Sequence, residues 1–143
     1  MGVNLERIYS TQYEAESMVE ETAQMLTEYL YNRVGEGLRT VVIIRGDDYE
    51  IRYLSDALRE EYTEEAYTEV VDTFRLENPF LSPGLSGKPV GERRALIDYH
   101  EKACVIQLPY SESETILLSV SREAGQDLIE FIESCREIVR SQS

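Results

Sequence analysis

The chain predicts an α+β fold: a five-stranded antiparallel sheet flanked by helices, in the order αββαβββα. Three observations carry this. Two long segments, one at each end, repeat apolar residues at three- and four-residue intervals, the period of a helix with one buried face. Between them lie short runs rich in β-branched residues, ended by polar or glycine turns. Most of these runs follow one another with only a tight turn between, which antiparallel hairpins permit and parallel crossovers do not. At 143 residues the expectation is one domain, 1–143, with a single sizeable core.

Ser10-Thr11 followed by Glu14 reads as a capping box. Beyond it Ala15, Met18, Val19, Thr22, Met25, Leu26, Tyr29, Leu30 and Val34 make an apolar stripe, closed by Gly35 as the C′ residue. Leu38 to Arg45 then reads as a strand, Gly46-Asp47-Asp48 as a turn, and Tyr49 to Leu54 as a second strand. Alternation in that second strand places Tyr49, Ile51 and Tyr53 on one face and Glu50 and Arg52 on the other. Ser55 or Asp56 caps a short helix through Glu61, and Thr63 caps a second, with Glu64 and Glu65 in its first turn. Ala66, Tyr67, Val70, Val71 and Phe74 form the apolar stripe of that helix.

Residues 77–91 hold three of the four prolines and three of the eight glycines, and read as a flexible loop within the domain. Phe80, Leu81 and Leu85 are more apolar than a spacer requires. Glu92 to Tyr99, Lys102 to Pro109 and Thr115 to Val120 follow as strands, with turns at His100-Glu101 and at Ser111 to Glu114. Ser121 is the expected cap of the last helix, whose stripe is Leu128, Phe131, Ile132, Cys135, Ile138 and Val139. The first and last helices are expected on one face of the sheet, the middle one near the other face or an edge.

Charge is the strongest compositional feature. Twenty-eight acids oppose fourteen bases, twelve of them arginine, for a net charge of −14. The acids are spread, seventeen in residues 1–76 and eleven in 77–143, with no acidic tail. Few lysines and a diffuse acid excess resemble the proteins of salt-accumulating archaea, since in molar salt the Debye length is roughly 3 Å and like charges hardly repel. A basic partner is the competing reading. Nucleic acid is not expected, because Arg93-Arg94 is the only basic pair. No run approaches a membrane span, and Met1 to Ile8 lacks a signal-peptide pattern, so a cytoplasmic protein is expected.

Catalytic and metal signatures are not found. His100 stands alone and neither Cys104 nor Cys135 belongs to a C-x-x-C pair, so no zinc set forms and both cysteines read as small buried hydrophobes. Asp98-Tyr99-His100-Glu101 gathers a base and carboxylates, but in a hairpin turn their side chains diverge. Asp47, Asp48 and Glu50 offer oxygen ligands for a weak cation site and no more than a chain so acidic provides by chance. Gly84 to Lys88 lacks phosphate-loop spacing. The expectation is no enzyme, no cofactor and no metal.

The element order resembles the roadblock/dynein-light-chain fold and its longin and profilin-like relatives. Its nearest stretch is Ala103 to Pro109, a polar turn, Thr115 to Val120 and the closing helix. The long loop at 77–91 and the divided middle helix depart from that family. The chain also resembles small acidic haloarchaeal proteins of unknown function. The roadblock resemblance implies a non-enzymatic interaction or regulatory module, homo- or heterodimeric, meeting a small GTPase or scaffold protein. The interface expected here is Tyr67, Val70, Val71 and Phe74 with Phe80 and Leu81, because three apolar helical stripes must share two sheet faces. The alternative is a profilin-like small-molecule sensor, with a pocket under the 77–91 loop in which Phe80 and Leu85 close over Tyr49 and Tyr53.

Overall fold

Val41-Val42-Ile43-Ile44, the longest apolar run, is the centre of the molecule. It lies in β1 (Leu38–Arg45), and all four residues are buried because the strand is covered on both faces. This is seen in a computed structural model of the chain, which describes residues 5–76 and 87–142, side chains of residues 5–17, 64, 76 and 142 excepted. The other elements are α1 (Leu5–Val34), β2 (Asp48–Leu54), α2 (Asp56–Glu61), α3 (Glu64–Leu76), β3 (Leu96–Tyr99), β4 (Ala103–Pro109), β5 (Glu114–Ser121) and α4 (Gln126–Gln142). The five strands form one sheet in the order β2-β1-β5-β4-β3, with every neighbouring pair antiparallel.

Each face has its own core. Val41, Ile43, Ile116 and Leu118 pack with Val19 and Ala23 of α1 and Ile129 of α4, while Val42, Ile44, Val105 and Leu117 pack with Tyr67 and Val71 of α3. The terminal helices therefore share one face and the middle helix holds the other, as the stripes predict. Arg45 ties α1 to the sheet rim, meeting Glu20 of α1 at 3.3 Å, Glu50 of β2 at 3.3 Å and Glu114 of β5 at 3.6 Å.

Three expected helix ends hold. Gly35 has φ +56°, the left-handed geometry that releases α1 into β1 at no steric cost. The Ser55 hydroxyl accepts from Leu58 N at 3.4 Å, and Thr63 Oγ1 accepts from Ala66 N at 3.1 Å, caps of about 1 kcal/mol each.

Four local expectations are corrected. The helix α1 begins at Leu5 and runs through Ser10 and Thr11, so the capping box is interior; residues 5–10 contain no proline or glycine to stop a helix. The first strand of the C-terminal meander begins at Leu96 rather than Glu92. Ser121 ends β5, and a 3₁₀ turn at Glu123–Gly125 leads into α4 instead of a serine cap. Finally, β2 does not alternate throughout. Val42 pairs with Ile51 but Val41 with Tyr53, so Arg52 is an extra residue, a β-bulge. Tyr49 and Ile51 face α3, whereas Tyr53 crosses to the α1 side and meets Tyr31 edge-on at 6.3 Å.

Candidate functional site

A second bulge shapes the α3 face. Leu38 pairs with Val120 and Thr40 with Ser119, which leaves Arg39 unmatched on β5. The bulge turns Thr40 onto the α3 side, where its hydroxyl lies 2.8 Å from that of Ser119 in a buried pair. Tyr67 of α3 comes down beside this pair, and burial pushes the phenol's pKa up, with the Thr40 hydroxyl acting against it. Above the hydroxyls a cavity of about 100 Å³ opens between the sheet, Leu58 of α2 and the α3 residues Val70, Val71 and Phe74. Arg39, half-buried, stands at its edge, and no described residue offers it an ion pair or hydrogen bond through its side chain.

Of the six residues expected to form an interface, Tyr67 and Val71 are spent inside the chain, at 6% and 1% exposed. Val70 and Phe74, half-buried, line the cavity. Phe80 and Leu81, like Leu85, lie outside the described residues. The expected closure over Tyr49 and Tyr53 has no common face to act on: Tyr49 hydrogen-bonds Thr68 of α3 and Tyr53 sits behind the sheet.

The other chemical candidates disperse. Tyr99 donates to Glu133 of α4 at 2.6 Å, while His100 stacks edge-on against Phe74 of α3, 5.8 Å away on the opposite face. Glu50 is held by Arg45 and Arg52, and the Asp47 carbonyl accepts from Arg75. The Tyr99 bond holds Glu133 below the usual carboxylate range, with Arg136 at 2.8 Å assisting, and raises the Tyr99 phenol.

The surface that sequence reasoning missed is α4. Of its expected stripe only Ile132 is even partly buried, and the buried residue of the helix is Ile129, outside that stripe. Phe131, Ile138 and Val139 are 67%, 64% and 67% exposed, Leu128 is exposed, and Cys135 is exposed rather than buried. On α1 Met18, Met25 and Tyr29 are exposed as well. Both helices meet the body through other flanks, α1 through Val19, Ala23 and Tyr31 and α4 through Ile129 and Glu133; helical spacing turns the exposed apolar residues away from those contacts. The available signal was that three stripes exceed the covering that two faces need.

The chain belongs to the family described as Domain of unknown function (DUF7522), whose model matches residues 24–140. No curated protein matches it.

Proposed function

We propose that the chain is a non-enzymatic interaction module on a roadblock-like scaffold, working as a homodimer in the cytoplasm of a halophilic archaeon. The observation that supports it is the α4 stripe: Phe131, Cys135, Ile138 and Val139 stand exposed on a helix of a chain with net charge −14. Contiguous exposed apolar surface on an otherwise charged protein is what a partner buries. With Tyr67 and Val71 committed to the sheet, α4 is the main contact in this reading, and Val70 and Phe74 the lesser one. The acid excess and arginine preference support the saline setting, in which two strongly negative copies approach without long-range repulsion.

The test is molar mass by light scattering across a KCl series, for wild type, Phe131→Asp/Ile138→Asp and Val70→Asp/Phe74→Asp. A dimer favoured by salt and split by the α4 pair alone is the expected result. Splitting by the α3 pair alone restores the middle helix as interface, and a wild-type monomer in molar KCl ends the homodimer in favour of a hetero-partner such as a small GTPase or scaffold.

A further inference from the structure

The cavity under α3 combines features that packing alone does not require. Its floor is the Thr40–Ser119 hydroxyl pair with the Tyr67 side chain beside it, and its walls are Leu58, Val70 and Phe74 with the sheet. Arg39 stands at its edge with no partner for its side chain among the described residues, although acids outnumber bases two to one in this chain. Arg39 is the one charged residue among those lining this otherwise largely apolar space, and its planar fork of donors suits a carboxylate. Its charge also lowers the pKa of the Tyr67 phenol against the larger effect of burial, so guanidinium and phenol act on the same space.

From this geometry we infer that the cavity binds a small aliphatic carboxylate, its headgroup paired with Arg39 and hydrogen-bonded by the hydroxyls, its short tail against Leu58, Val70 and Phe74. The volume sets the size. A cavity of about 150 Å³ holds benzene, so about 100 Å³ takes roughly four non-hydrogen atoms, the tail of a branched five-carbon acid whose carboxylate lies at Arg39. Apolar walls with a few convergent polar groups are the usual make-up of such sites. The Arg39 side chain stays at the rim because the bulge withdraws it from the alternation of β1; a regular strand would place residue 39 on the face opposite Thr40. This inference goes beyond the dimer proposal and does not depend on it.

The experiment uses the full chain in molar KCl with isovalerate as probe, its neutral analogue isoamyl alcohol as control for the tail, and phosphate as control for the charge. Binding is followed by amide chemical shifts and by melting temperature, for wild type, Arg39→Gln and Val70→Phe. Isovalerate is expected to shift residues of β1, β5 and α3 and to raise Tm in proportion to its logarithmic concentration. The alcohol and phosphate are expected to bind at least tenfold more weakly. Arg39→Gln should lose tenfold or more in affinity while its unliganded Tm is unchanged, and Val70→Phe, which fills the space, should abolish binding. If Val70→Phe fails to fold, Arg39→Gln with the two analogues still decides. The absence of isovalerate binding to folded wild type overturns the inference, as does binding that Arg39→Gln leaves intact or that phosphate matches.

Discussion

Helices α3 and α4 carry nearly the same apolar rhythm and meet opposite fates. In α3 the residues at i, i+4 and i+7, Tyr67, Val71 and Phe74, turn onto the sheet, and Val71 is sealed at 1% exposed. In α4 the stripe at 128, 131, 135 and 138 turns outward, and the helix is held to the body by Ile129 and the Glu133 contacts. An amphipathic period states that a helix has an apolar face. It does not state whether this chain or another covers it.

The comparison is broken most severely by charge. Val71→Asp places a carboxylate in a dry core and is expected to cost about 4 kcal/mol or more, enough to unfold a marginal domain in denaturant titration. Ile138→Asp, the same kind of change on α4, should stay within about 0.5 kcal/mol of wild type. If the two cost alike, α4 is a core helix and the distinction fails.

A second contrast runs through the cysteines. Cys104 is buried on the α1–α4 face, where burial pushes its thiol pKa up, whereas Cys135 is exposed on α4. In the native monomer one thiol should react with an aromatic disulfide reagent at once and the other only on unfolding. Protection of Cys135 that appears with salt would report the proposed dimer.

The α3 face also has a weak point. Gln107 of β4 is fully buried beside Leu117, and among the described residues neither its amide nitrogen nor its oxygen has a hydrogen-bond partner. Gln107→Leu removes an unpartnered polar group at similar volume and should raise stability by about 1–2 kcal/mol, read as a higher denaturant midpoint with unchanged slope.

The smallest effect is the pH dependence at the foot of α4. Because Glu133 has its folded pKa depressed, its contribution is present above the unfolded pKa and fades as pH falls through the folded value. Tyr99 has its folded pKa raised, so its contribution is present below the unfolded phenol pKa and fades as pH rises through the folded one. The slope of stability against acid pH, read from denaturant midpoints across an acid series, should be shallower in Glu133→Gln than in wild type.

Much of this was legible in the residues themselves. The order of elements, the strand centred on Val41 to Ile44, the glycine exit at Gly35 and the caps at Ser55 and Thr63 depend on contacts within a turn or two along the chain, so neighbouring residue types decide them. Ser10-Thr11 does not begin α1, since a good capping pair does not stop a helix when residues 5–9 before it carry no glycine or proline. What only the tertiary structure decided depends on partners distant in sequence. The bulges at Arg39 and Arg52 arise from how β1 registers on β5 and β2, and each reverses the facing of the residues beyond it. That reversal separates Tyr53 from Tyr49, places Thr40 against Ser119 and frees Arg39 at the cavity's edge. The outward turn of α4 is of the same kind: periodicity shapes an apolar stripe locally, but the space left on a sheet already covered by α1 determines whether that stripe is buried.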